Sequence, residues 1–252
     1  MHAGQVMTCN LAGQIETVVE VAGLPSGLGW LPDGQLLIVS MKDRRVLRYD
    51  GQRLQEHADL ADLAGCDCND MVVDALGRAY VGHFGFDVNE GRPFAHAELI
   101  LVSPEGEPSV VARELKFPNG SVITDGGRTL VVCETFASRL SAFDIAADGS
   151  LGPRRDWAVV TGTAPDGCCL DAEGAIWFAS PLSREVVRVR EGGEVCARID
   201  LGRMGIACQL GGPEGRHLFI LSSGSTLPAM CVEKRDARIE VCEVDVPGAG
   251  SP

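Results

Sequence analysis

Ser26, Asn69, Asn119 and Asp166 each stand eight residues before a glycine, namely Gly34, Gly77, Gly127 and Gly174; the fifth member of the series, before Gly215, is Ala207. If the register belongs to a closed repeat, these small oxygen-bearing side chains form a ring of hard donors at one end of a channel. Amide and carboxylate oxygens suit Ca²⁺, Mg²⁺ or Mn²⁺ and also accommodate Zn²⁺, whereas thiolate chemistry requires other residues. Taken singly, "FPNG" and "APDG" are ordinary turn sequences, in which Asn and Asp bond nearby backbone. Their shared spacing favours a site. A second polar series, Ser40, His83, Glu134, Ser180 and Ser222, falls at the far end of the strand that follows each glycine turn. His83 and Glu134 titrate or coordinate, so each is a candidate to orient a ligand; the alternative is that these residues only anchor loops. Cys208, beside Ala207, reads as a core thiol.

The elements that would hold such a ring are short strands. "GLGWLPDGQLLIVS" pairs two apolar stretches around a Pro-Asp-Gly turn, and "DMVVDALGRAYVGH", "GSVITDGGRTLVVCE", "GCCLDAEGAIWFAS" and "ACQLGGPEGRHLFILS" repeat it. Each copy predicts strand A, a glycine turn, strand B, then strands C and D. Successive glycines lie roughly 40–50 residues apart, the period of propeller blades. No segment carries sustained helical periodicity. The opening "GQVMTCNLAGQIETVVEV" matches only strands C and D, as "RRVLRYDGQRLQEHADL" does one repeat later, and "RIEVCEVDV" reads as a last strand C.

The sequence therefore predicts an all-β, six-bladed β-propeller forming a single domain over residues 1–252. Its approximate blade bounds are 1–23, 24–65, 66–116, 117–162, 163–202 and 203–252. The first blade is incomplete at the N-terminus, with its A–B hairpin missing. On this expectation Met1 is an internal methionine of a longer natural chain. An unpaired blade edge would expose backbone donors and acceptors and favour a homo-oligomer.

Composition narrows the partners. A formal charge of −13 with no basic cluster disfavours nucleic acid and anionic membranes. No apolar run approaches the length of about 20 residues that spans a bilayer. The 10 cysteines lack a preceding signal peptide and the spacing of a CxxC metal site, so they read as reduced thiols in a cytoplasmic protein.

"CNDMVVDALGRAYVG", "FPNGSVITDGGRTLVVCETFASRLSAFD" and "APDGCCLDAEGAIWFAS" resemble the senescence marker protein/gluconolactonase (regucalcin-like) family, over essentially the whole chain. The resemblance implies a six-bladed propeller with one divalent metal ion, Ca²⁺ first among Ca²⁺, Zn²⁺, Mg²⁺ and Mn²⁺. Asn119 and Asp166 would be ligands, and Asn69 would contact metal, bound water or substrate. The family's glutamate ligand stands in a Glu-Gly-Pro-x-Trp motif, whose local match is "SGLGW", with Ser26 in its place. Either Ser26 is a substitution, or the glutamate belongs to the absent first-blade hairpin; the strand count supports the second.

An arginine that some sugar-lactonase relatives carry two residues before Asn69 is here Asp67, which argues against a gluconolactone-like substrate. The resemblance implies metal-dependent hydrolysis of a small lactone or related ester. Asp166 would be catalytic, Asn69, Asn119 and Asp166 would bind metal, and Ser26, His83 and Glu134 would contact substrate. The family also includes organophosphate-cleaving members. Alternatives are a non-catalytic propeller that binds a metal, metabolite or protein, an enzyme inactivated by truncation, and a condensing enzyme of the strictosidine-synthase type.

Overall fold

The computed structural model describes residues 2–250. The chain divides into two compact units, 1–117 and 118–252, and the break falls one residue past the expected boundary between the third and fourth blades.

The first unit begins with a two-stranded antiparallel ribbon, β1 (Gln5–Cys9) and β2 (Ile15–Glu20). A four-stranded meander follows, made of β3 (Pro25–Trp30), β4 (Leu36–Ser40), β5 (Arg45–Tyr49) and β6 (Leu54–Asp59). A second meander contains β7 (Cys68–Val73), β8 (Ala79–His83), β9 (Ala97–Val102) and β10 (Pro108–Leu115). The facing sides of the two meanders share one core, in which Leu37, Val39 and Val46 pack with Met71, Val81 and Ile100. On the other face of the first meander, Leu36 and Ile38 pack against Val6 and Val21 of the ribbon.

The second unit repeats the figure. One meander is β11 (Pro118–Thr124), β12 (Thr129–Glu134), β13 (Arg139–Asp144) and β14 (Arg155–Val159). The next is β15 (Cys168–Leu170), β16 (Ile176–Ser180), β17 (Glu185–Val189) and β18 (Val195–Asp200). The last sheet has three strands, β19 (Met204–Gly211), β20 (His217–Ser223) and β21 (Arg238–Glu243). Phe178, Val131 and Trp157 join the first two sheets, and Trp177, Cys208 and Leu218 join the second to the third. Removing a large side chain such as Phe178 from water stabilises by about 1.5–3 kcal/mol.

These sheets are the blades of an all-β propeller, but the expected count of six is corrected to five among the described residues. β1 and β2 pair only with each other, and two strands do not make a blade. "SGLGW" lies on β3, the opening strand of the first complete blade, so Ser26 follows the ribbon as the strand count required. "RIEVCEVDV" does supply the third strand of the last sheet, as β21. One helix was not anticipated: α1 (Pro228–Lys234) sits between β20 and β21, with Pro228 in its first turn and Arg235 left-handed at its end.

The register that defined the repeat is a backbone fact. Gly34, Gly77, Gly127, Gly174 and Gly215 all have positive φ, between 67° and 90°, and the amide of each donates to the carbonyl three residues earlier. A β-carbon is disfavoured there, so the glycine is the fixed point from which strands on either side count.

Candidate functional site

In the second unit the predicted residues Asn119 and Asp166 are tied together by one side chain. Asn119 opens β11 and is buried. Its Nδ2 donates to Thr135 Oγ1 at 3.1 Å, and that hydroxyl donates to the Pro165 carbonyl at 2.8 Å, immediately before Asp166. Thr135 starts the 3-10 turn Thr135–Ala137 that follows β12. With Nδ2 engaged by Thr135, the amide is oriented with Oδ1 as its acceptor end, the end a hard cation takes.

Backbone proximity explains why Asn119 and Asp166 are each followed by glycine. A β-carbon on Gly120 would lie 2.6 Å from the Asp166 carbonyl oxygen and 2.6 Å from the Cys168 nitrogen. One on Gly167 would lie 2.5 Å from Ala207 Cβ. The strand openings therefore pack backbone to backbone. Asp166 is pinned by its own N–H to the Ala179 carbonyl at 2.9 Å, and the Gly167 N–H donates to Ile206 at 3.0 Å. Asp166 itself is half-buried.

In the first unit Asn69 opens β7 with Cys68 and is buried. Ser26 Oγ donates to the Asn69 carbonyl at 2.7 Å, so the serine in the glutamate's place holds the backbone of the next strand opening. Asp67 is drawn off by Lys42, whose Nζ is 2.6 Å away and whose own pKa is raised by that hydrogen bond.

The residue after Asn69 is where sequence reasoning missed something. Asp70 occupies the position of Gly27, Gly120 and Gly167 in the other strand openings. Burial alone pushes its carboxyl from 3.8 up to about 6. The signal was the one non-glycine in an otherwise glycine position.

His83 and Glu134 are brought to strand ends as expected, but both are fully engaged. His83 Nε2 lies 3.0 Å from Glu98 Oε2, and Nδ1 accepts the Gly85 N–H at 3.1 Å. The acceptor role at Nδ1 fits a neutral ring with its proton on Nε2. Burial, outweighing the attraction of Glu98, lowers the His83 pKa. Glu134 is completely buried; its Oε1 takes Arg139 Nη2 at 2.9 Å and Ser141 Oγ at 2.5 Å, with Arg154 at 3.7 Å. Ser180 accepts the Ala164 N–H at 3.0 Å, and Ser222 donates to Glu240 at 2.5 Å. This second polar series anchors strands and loops from inside.

The cysteines are all free thiols. Burial pushes Cys133 and Cys208 well above the ordinary value, each beside a second thiol, Cys168 and Cys169, and it pushes Cys68 up to about 12. Such thiols stay protonated, so they are poor metal ligands. Among the described residues no three His, Cys, Asp or Glu side chains gather at one point. The donor set that remains, amide oxygens plus the Asp166 carboxylate, fits a hard cation. No helix is long and apolar enough to cross a membrane among the described residues.

The chain belongs to the SMP-30/Gluconolactonase/LRE-like family, whose model matches residues 1–224. It is 28% identical over 210 residues to the 6-deoxy-6-sulfogluconolactonase of Pseudomonas putida, covering 80% of this chain and 69% of that protein. It is 25% identical over 228 residues to the pentonolactonase XacC of Haloferax volcanii, covering 87% and 76%. In fold it resembles a calcium-binding protein, regucalcin, from Agrobacterium tumefaciens, with a TM-score of 0.82 and 22% identity over 99% of this chain and 85% of that one.

Proposed function

We propose that this chain is a divalent-metal-dependent hydrolase of a small lactone, with Asp166 as its catalytic carboxylate. The observation that carries the reading is the Thr135 link, which orients the Asn119 amide and fixes the backbone of Asp166 in one hydrogen-bonded unit. Membership of a gluconolactonase-like family and likeness to two proteins named as lactonases support it.

Asn119 and Asp166 would hold the ion through oxygen, with Asn69 as the third donor on the shared register. Ca²⁺ is the first candidate because the donors are hard and carry one formal charge. When bound, the cation would polarise the lactone carbonyl. Asp166 has two carboxylate oxygens, so one can face the ion while the other accepts a proton from water. The water oxygen forms a bond to the carbonyl carbon, the ring C–O bond breaks, and the departing alkoxide takes up the proton. The product is a hydroxy acid. Ser26 contributes by holding the Asn69 backbone, while His83 and Glu134 stabilise the strand ends behind the site.

Asp166→Ala should lower kcat on a responsive lactone by about 10²–10⁴, with the thermal midpoint of the metal-free protein nearly unchanged because the side chain is only half-buried. Turnover equal to the parent's would remove Asp166 from the mechanism.

A further inference from the structure

Within the first unit, the strand opening that carries Asn69 adjoins an aromatic cluster. The segment between β8 and β9 contains Phe84, Phe86 and Phe94, and Phe117 comes from just beyond β10. Phe84 stacks on Phe117 with ring centroids 4.5 Å apart. Phe86 meets Phe94 edge-on at 5.4 Å and Phe117 at 6.4 Å. Four of the chain's 8 phenylalanines stand here. The cluster is anchored at the site end of the blade, because Cys68 pairs with His83 and the Phe84 N–H donates to the Asp67 carbonyl at 3.0 Å.

Two features indicate a built surface. Phe117 has φ of +62°, a conformation rare for a bulky residue and held only where its surroundings impose it. The neck of the loop is closed, since a β-carbon on Gly85 would lie 2.6 Å from the Ala95 carbonyl oxygen. Yet Phe94 remains 48% exposed and Val88 40% exposed, so the ordered loop presents apolar surface to solvent. The neighbouring polar side chains are occupied: Asp67 by Lys42, Ser26 by the Asn69 carbonyl, and His83 by Glu98 and Gly85. A polyhydroxylated substrate would find few partners there, whereas an aryl group finds ring faces and edges.

We infer that Phe84, Phe86, Phe94 and Phe117 form a subsite for an apolar, preferably aryl, substituent on the substrate, so that the favoured class is an aryl-substituted lactone and not a sugar lactone. This rests on the lactonase reading for the reacting group, but the subsite is testable without turnover.

The probes are 5-phenyl-2-pyrrolidinone and 2-pyrrolidinone, lactams that resist hydrolysis, titrated calorimetrically into the full chain with Ca²⁺ present. The phenyl lactam should bind at least about tenfold more tightly, and Phe94→Ala or Phe86→Ser should erase most of that preference. Phe94 is the safer variant for folding because half of it is already in water. Equal binding of the two lactams, or a preference unmoved in a folded Phe94→Ala protein, would overturn the subsite. The parallel assay compares hydrolysis of γ-phenyl-γ-butyrolactone, γ-butyrolactone and glucono-1,5-lactone. Hydrolysis favouring the sugar lactone would overturn the subsite and leave the lactonase standing. No hydrolysis of any lactone with the lactam preference intact would overturn the lactonase and leave the subsite.

Discussion

Asn119–Gly120 in the second unit and Asn69–Asp70 in the first occupy the same register, yet the residue after the asparagine does opposite things. At Gly120 the absence of a side chain lets one strand opening lie against the backbone of the next, with Asp166 and Cys168 at van der Waals distance or closer to where a β-carbon would stand. At Asp70 a carboxyl is carried into the protein and held out of water, which raises its pKa to about 6. The first arrangement gives the site rigidity through close packing. The second stores an unfavourable charge next to a candidate ligand, a cost that folding would not retain for stability alone.

The largest effect that would break this contrast is expected from Gly120→Ala. Two backbone atoms sit 2.6 Å from the added carbon, and neither belongs to a flexible side chain. Overpacking against backbone should destabilise by about 3 kcal/mol, read as a lowered denaturant midpoint. A midpoint equal to the parent's would mean that the strand openings are not locked.

Asp70→Asn sharpens the other side. The folded carboxyl ionises near 6 and the unfolded one near 3.8, so ionisation costs stability as pH rises through that window. The asparagine variant should therefore match the parent below pH 4 and exceed it above pH 6, by about 2 kcal/mol in chelator. A stability difference that does not change with pH would contradict burial as the cause.

Thr135→Val removes the hydroxyl that joins Asn119 to Pro165 while keeping the shape. Losing a group that orients a ligand should weaken Ca²⁺ binding about tenfold. Unchanged affinity would show that the link is structural only.

The smallest effect belongs to His83. Burial lowers its folded pKa, so the unfolded chain binds its proton first as pH falls through about 6.5, and stability declines on the acid side. This opposes Asp70, which gains stability on acidification over an overlapping range. His83→Gln should flatten the acid decline by about 1 kcal/mol or less; a steeper decline would reverse the assignment.

Much of this was legible from glycine spacing. The turn glycines set a register, the register singled out Asn69, Asn119 and Asp166, and the blades followed from the strands on either side. Other features were hidden for physical reasons. His83 and Glu134 looked available because their partners, Glu98 and Arg139, come from neighbouring strands that sequence spacing does not connect to them. The aromatic cluster was masked because its loop lengthens the interval from Gly77 to Gly127 and so looked like noise in the repeat. The sixth blade was inferred from strands that pair only as the β1–β2 ribbon. Helix α1 was missed because seven residues are too few to show a period.

The central claim is that oxygen ligands on these strand openings support metal-dependent lactone opening. The direct measurement is γ-phenyl-γ-butyrolactone hydrolysis by the purified chain after chelation and again after Ca²⁺, Mg²⁺, Mn²⁺ or Zn²⁺ is restored. The account predicts turnover lost on chelation, recovered with a divalent ion, and absent in Asp166→Ala under every condition. Turnover that persists in chelator, or that Asp166→Ala shares, would contradict it.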